Sequence, residues 1–345
     1  MQAYRIYGPL DMQLEEISTP NIKENEVLIR ILASGICMTD IELYDGSMPY
    51  IEQGLTQLPM TPGHEWSGKV VEAGSEVKNL DVGDIVVGDI SIGCGQCLNC
   101  LKGTYHLCDD RAEIGVINHD GSFAEFLCSP AKNVYKVPPG ISPNEAALIE
   151  PAATALNAVK RVGIAPGETV IVFGDGPIGM LCGQMANIWG ASKVIIVSIK
   201  SDNKQLIENQ KMVLIDSSKQ DLHREISTIL HDKADVVIEV SGNPRAFAEA
   251  ILSVKSGGRI CAGSITGSPA FPVDMDYITT RDITVYGVLA SPNAFVPTLR
   301  LMSAGKIDVN PLITKIFPFE STAEAFEYVR LNQEPRIKVL VVNPE

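Results

Sequence analysis

Six residues, Gly174-Asp175-Gly176-Pro177-Ile178-Gly179, constrain the fold of this chain more than any other stretch. They follow the near-continuous apolar run Thr169-Val170-Ile171-Val172-Phe173 and open a stretch of helical character that reaches Trp189. A strand that is apolar along its whole length is buried on both faces, as in a parallel sheet covered by helices. Similar strands recur at Val194–Val197, Asp235–Val240 and Arg259–Ala262, separated by helix-length segments. G-x-G-x-x-G alone is a weak signal, but between such a strand and a helix it describes a dinucleotide site. Gly174 makes the tight turn, Gly176 admits the pyrophosphate and Gly179 lets helix and strand pack closely. The N-terminal amides of the helix that opens with Pro177 and Ile178, Ile178 giving the first N–H because proline has none, then meet the phosphate charge.

The end of the next strand bears on which dinucleotide. A carboxylate there would bind the ribose hydroxyls. Here Val194-Ile195-Ile196-Val197 ends in Ser198, with Lys200 two residues on. A small hydroxyl and a nearby lysine suit a 2′-phosphate, so NADP is favoured over NAD. The competing reading keeps Lys200 solvated and lets NAD bind through Asp202.

The part before about Glu150 has a different character: short strands broken by glycine and proline, such as Glu26–Ile31, Lys69–Glu72 and Asp84–Val87. These suggest a compact β barrel or sandwich. A chain of 345 residues is longer than one core usually serves, so two domains are expected. The 28 basic and 42 acidic residues leave a formal charge of −14. That sign disfavours nucleic acid and anionic membrane as partners. No apolar run approaches the ~18 residues of a membrane span, and the start lacks a secretory pattern. A cytoplasmic location is the simplest expectation.

Cys94, Cys97, Cys100 and Cys108 follow C-x2-C-x2-C-x7-C. Four thiolates at such spacing satisfy a tetrahedral Zn²⁺ with no open position, which is a structural site. An iron–sulfur cluster uses other spacings, and the bland reading is a chance grouping of buried thiols. Three further segments offer donors for an open site: Gly35-Ile36-Cys37-Met38-Thr39-Asp40, Pro62-Gly63-His64-Glu65 and Ile149-Glu150-Pro151. Each is weak alone, since a lone cysteine is usually a small buried hydrophobe and a lone His-Glu pair an ordinary surface or core feature.

Together with Gly83-Asp84, Asp120-Gly121-Ser122-Phe123-Ala124-Glu125 and the glycine fingerprint, these segments resemble the zinc-dependent medium-chain dehydrogenases, nearest the sorbitol and polyol branch. The resemblance runs end to end and implies an α/β plus β protein. Residues 1–150, completed by 286–345, would form a GroES-like β-rich catalytic domain. Residues 151–285 would form a Rossmann domain with a doubly wound parallel sheet, and the active site would lie between the two.

By that likeness, Cys37 and His64 hold a catalytic zinc and Glu150 takes the position of the polyol branch's glutamate. Glu65 is a ligand that exchanges with water or a partner behind the ligands. Asp40 orients His64. Two zinc ions per chain follow, one catalytic and one structural. The metal acidifies a bound secondary alcohol, whose hydride passes to the nicotinamide. Thr39 matches the first proton-relay group. Glu42 stands where the family usually has histidine, so it either relays the proton or is an ordinary exposed residue.

The likeness also puts Ser241, Gly263, Ser264, Leu289 and Lys338 near the cofactor. It implies a homodimer or homotetramer acting on a small-molecule alcohol or ketone. Ala290 replaces an arginine common in polyol dehydrogenases. The segments 62–68 and 150–159 are similar to those of 2-deoxy-scyllo-inosamine dehydrogenases, so a polyol, cyclitol or sugar-derived alcohol is expected. The stretch 46–59 lies over the pocket in this reading, or is a spacer. Other classes are a non-catalytic NADPH-binding relative and a zinc-free quinone or enone reductase. The first typically lacks the open-site ligands, and the second lacks the cysteine lobe and the Gly-His-Glu segment.

Overall fold

The computed structural model describes residues 1–200, 202–267 and 270–343. The chain divides into two compact units, Met1–Ala153 with Ser291–Glu345, and Thr154–Ala290.

The second unit is built on a six-stranded sheet with every pairing parallel. In chain order its strands are Thr169–Phe173, Lys193–Ser198, Val213–Asp216, Ala234–Glu239, Val254–Ala262 and Thr284–Gly287. Across the sheet they run third, second, first, fourth, fifth, sixth. The order therefore reverses between the first and fourth strands, and a ligand crevice forms beyond the carboxyl ends of strands at such a reversal. Ile171, Ile195 and Val237 are wholly buried in its core. Two of these strands lacked a signal in the sequence. Val213–Asp216 is short, and Thr284–Gly287 is an edge strand with little burial.

The first unit is built on a seven-stranded sheet in which Glu26–Gly35 and Glu65–Ala73 are the long central pair. Lys338–Val342 pairs with Glu26–Gly35 antiparallel, so the end of the chain completes a sheet begun near its start. Trp66, Ile29, Val86 and Val134 fill one core. Phe123, Phe326, Ile41 and Val341 fill another. A small antiparallel pair, Ser91–Ile92 with Ala112–Glu113, brackets the cysteine-rich lobe.

Candidate metal centres and dinucleotide site

Cys37 caps the helix Met38–Asp45, which begins directly after the strand Glu26–Gly35. His64 immediately precedes the strand Glu65–Ala73. Gly35 lies opposite Glu65 in register, and this brings the two chain turns together. One donor atom each from Cys37, His64 and Glu65 lies within 4.8 Å of the others. The approach depends on glycine, because a Cβ on Gly35 would sit 2.2 Å from Glu65 Oε2.

Asp40 ties the two segments. It is wholly buried, and its Oδ2 accepts the Cys37 N–H at 2.9 Å while Oδ1 accepts the Gly63 N–H at 3.0 Å. Oδ1 also stands 3.3 Å from His64 Nδ1, an ionic contact that is not aligned as a hydrogen bond. Nδ1 thus faces the carboxylate, and Nε2 is the nitrogen left for a ligand. Burial alone would lower the His64 pKa, but Asp40 and Cys37 outweigh it and hold the imidazole well above its ordinary value. A sulfur, an imidazole and a carboxylate converge there with the Asp40 carboxylate behind the ring, a donor set that suits a divalent cation.

Glu65 already has a cationic partner. Lys338 Nζ donates to its Oε1 and Oε2 at 2.7 and 2.6 Å and to Ile36 O at 3.0 Å. Lys338, which the resemblance puts near the cofactor, has its ammonium on Glu65 and the Ile36 carbonyl, beside this donor cluster. Nothing in the residue order signals that pair, since 272 residues separate its members. Glu150 is buried in the first turn of the helix Ile149–Val162 and is not one of the three residues that share the 4.8 Å grouping. Thr39 and Glu42 follow Cys37 on its helix, both half-buried. Burial, then Asp45, raises the Glu42 pKa.

The second donor set consists of Cys94, Cys97, Cys100 and Cys108, again with one atom from each within 4.8 Å. All four are free thiols. The Cys97 N–H donates to Cys94 Sγ at 3.4 Å and the Cys94 N–H to Cys108 Sγ at 3.5 Å. Backbone N–H groups of Gln96 and Cys97 pull the Cys94 thiol down to about 7, which favours a thiolate ligand.

In the second unit the fingerprint glycines divide by function. Gly174 has φ +112°, which only glycine adopts without strain, and a Cβ on Gly179 would meet Gly174 O at 1.9 Å. Those two are required by the protein's own packing. A Cβ on Gly176 would meet nothing within 4 Å, so the space it leaves is open to a ligand. The helix Pro177–Ile188 starts there, with Pro177 in its first turn and Ile178 next.

Beside this turn, Ser241 Oγ and Ser264 Oγ each donate to the carboxylate of Glu239 at 2.5 Å. Gly263 N–H donates to the Glu239 backbone carbonyl at 3.0 Å. Glu239 is buried at the end of the fourth strand and was missed in the sequence. An acid closing the otherwise apolar run Val236–Ile238 is the signal that marks it.

Ser198 is buried at its strand end and accepts the Lys200 N–H at 3.0 Å. Lys200 and Asp202 are exposed. Asn203 Nδ2 donates to Asp175 Oδ2 of the fingerprint at 2.9 Å. Leu289 is half-buried just after the sixth strand.

Comparison with known proteins agrees with both halves. Residues 23–139 match the alcohol dehydrogenase GroES-like domain, and residues 177–304 match the zinc-binding dehydrogenase family. An L-threonine 3-dehydrogenase of Pyrococcus furiosus is 34% identical over 94% of this chain and 94% of its own length. The chain belongs to the zinc-dependent medium-chain dehydrogenases. A sorbitol dehydrogenase of Bacillus subtilis is similar at 29% identity over 99% of this chain and 97% of its own. A Sinorhizobium meliloti 1021 structure with NADP bound superposes with a TM-score of 0.89 at 28% identity, covering 99% of this chain and 98% of that one.

This dehydrogenase therefore uses zinc and a nicotinamide cofactor to interconvert an alcohol and a carbonyl compound. No helix among the described residues is long and apolar enough to cross a membrane.

Proposed function

We propose that the substrate is a secondary alcohol of the polyol, cyclitol or sugar-derived class, with NADP as the favoured oxidant. The observation that carries the site assignment is the convergence of Cys37, His64 and Glu65 within 4.8 Å. Cys37 and His64 would hold the catalytic zinc, with Glu65 or Glu150 as the further donor. The four thiolates of Cys94, Cys97, Cys100 and Cys108 would hold a structural zinc, giving two ions per chain.

Bound zinc would supply Lewis acidity that lowers the pKa of a hydroxyl it binds. The remaining tasks belong to this chain's own side chains. Asp40 fixes the His64 ring, and Thr39 Oγ1 accepts the alcohol proton as it gives up its own hydroxyl proton. Glu42, half-buried and with its pKa raised by burial, is suited to accept that proton next. In the second unit, Gly176 leaves room for the pyrophosphate. Ser241, Gly263, Ser264 and Leu289 border the dinucleotide, and Lys338 steadies the metal site through Glu65. Ser198 and Lys200 offer a hydroxyl and a charge to a 2′-phosphate. A homo-oligomer is supported by the edge strand Thr284–Gly287, whose Val285 is exposed.

Metal analysis should find about two zinc ions per chain, and Cys37→Ser should lose one of them together with turnover. Full activity in that variant would remove Cys37 from the mechanism. Lys200→Ala should erode any preference for NADPH over NADH in direct binding, and an unchanged preference would discard the Lys200 assignment. A screen of polyols, cyclitols, sugar acids and L-threonine identifies the substrate class.

A further inference from the structure

The stretch that follows Leu289 and Ala290 is gripped from an unexpected direction. Ser291-Pro292-Asn293-Ala294 forms a turn closed by Ala294 N–H to Ser291 O at 3.1 Å. Proline at its second position and Asn293 at φ +58° at its third match a type II turn. Asn293 is surface-exposed, yet its backbone N–H and its side-chain amide both donate. Its backbone N–H donates to Tyr105 Oη at 3.0 Å, and its Nδ2 donates to Gly103 O at 2.9 Å.

Gly103 and Tyr105 both lie in the cysteine lobe, between Cys100 and Cys108. Tyr105 Oη in turn donates to Asp89 Oδ2 at 2.5 Å. Asp89 is wholly buried and also accepts the Ser91 N–H at 3.0 Å. One hydroxyl is thus donor to a buried carboxylate and acceptor from the turn, so each bond polarises the other. Phe295 adds an apolar anchor, stacked on Tyr135 at 5.4 Å between centroids.

We infer that the cysteine lobe is a clamp that positions the 291–294 turn, and through it Leu289 and Ala290, with Tyr105 and Asn293 as positioning residues. The inference rests on the proposed placement of Leu289 at the nicotinamide. A metal held by Cys94, Cys97, Cys100 and Cys108 would perform no chemistry, but it would fix the 100–108 segment that holds the turn. Its influence on hydride transfer is then geometric.

Hydrogen–deuterium exchange of the zinc-loaded enzyme tests this without reference to activity. Tyr105→Phe keeps the ring and removes only the hydroxyl. It should retain wild-type zinc content while the amides of 291–295 exchange at least about tenfold faster, the scale of one lost hydrogen bond. The KM for the nicotinamide cofactor should rise several-fold, with kcat changed much less. Asn293→Gly keeps the left-handed turn and should behave more mildly than Asn293→Ala. Cys97→Ser, which opens the lobe, should loosen 291–295 in the same way.

Unchanged exchange of 291–295 in both Tyr105→Phe and Cys97→Ser overturns the clamp. Faster exchange with an unchanged cofactor KM keeps the clamp and instead removes Leu289 from the nicotinamide site. The two ideas therefore fail separately.

Discussion

Replacing Lys338 with methionine would expose how the donor cluster balances its charge. Lys338 and Glu65 are each 2% exposed, and Nζ reaches the two carboxylate oxygens at 2.7 and 2.6 Å. Removing one member of a buried ion pair costs about 3–5 kcal/mol, because the other charge is left without compensation.

The expected loss in the metal-free protein is therefore about 3–5 kcal/mol. Glu65→Gln combined with Lys338→Met should recover much of it. With zinc bound, a second cation lies beside Glu65 and the loss should shrink. The chain has two tryptophans, Trp66 and Trp189, and Trp66 is buried next to Glu65. Urea unfolding followed by Trp66 fluorescence, in a Trp189→Phe background, reports this unit alone. A metal-free loss below about 1 kcal/mol, or no recovery in the double variant, would refute the charge argument.

The fingerprint glycines and Asp89 give two further tests. Gly179→Ala places a Cβ 1.9 Å from Gly174 O and should lower the melting temperature sharply. Gly176→Ala meets nothing within 4 Å, so its thermal unfolding should match wild type while calorimetry shows dinucleotide affinity reduced about tenfold or more. Equal thermal losses in the two variants would contradict that division.

Burial, only partly offset by the Tyr105 hydrogen bond, pushes the Asp89 carboxyl from 3.8 up to about 6. The folded state then binds this proton more tightly than the unfolded state. The group's contribution to stability therefore grows as pH falls from about 6 toward 4 and is absent above that window. Relative to Asp89→Asn, wild type should gain about 1 kcal/mol between pH 7 and pH 5. An unchanged difference in unfolding free energy at the two pH values rules out the raised value.

Much of the second unit was legible in the residues themselves. Strands such as Thr169–Phe173 are apolar along nearly their whole length because successive residues on both faces are buried, and the glycine turn that follows has steric requirements written into single positions. The lobe was equally legible, because four cysteines within fifteen residues have few ways to be arranged. Val213–Asp216 and Thr284–Gly287 escaped notice because strands that are short or at an edge bury too little to leave a periodic pattern. Glu239 was passed over because one acid at a strand end resembles an ordinary loop boundary until its serine partners are seen.

The sequence by itself determined the two kinds of sheet, the cofactor turn, both cysteine-bearing segments and the family. These rest on local chemistry: the volume of a glycine, the reach of neighbouring thiols, and hydrophobic runs matched to burial. Tertiary structure alone decided which distant groups share a charge. Lys338 meets Glu65 because the last strand pairs with Glu26–Gly35, and Asn293 meets Tyr105 because the chain returns to the first unit at Ser291. Electrostatic and hydrogen-bond partners act through space, and only the folded path of the chain sets those distances.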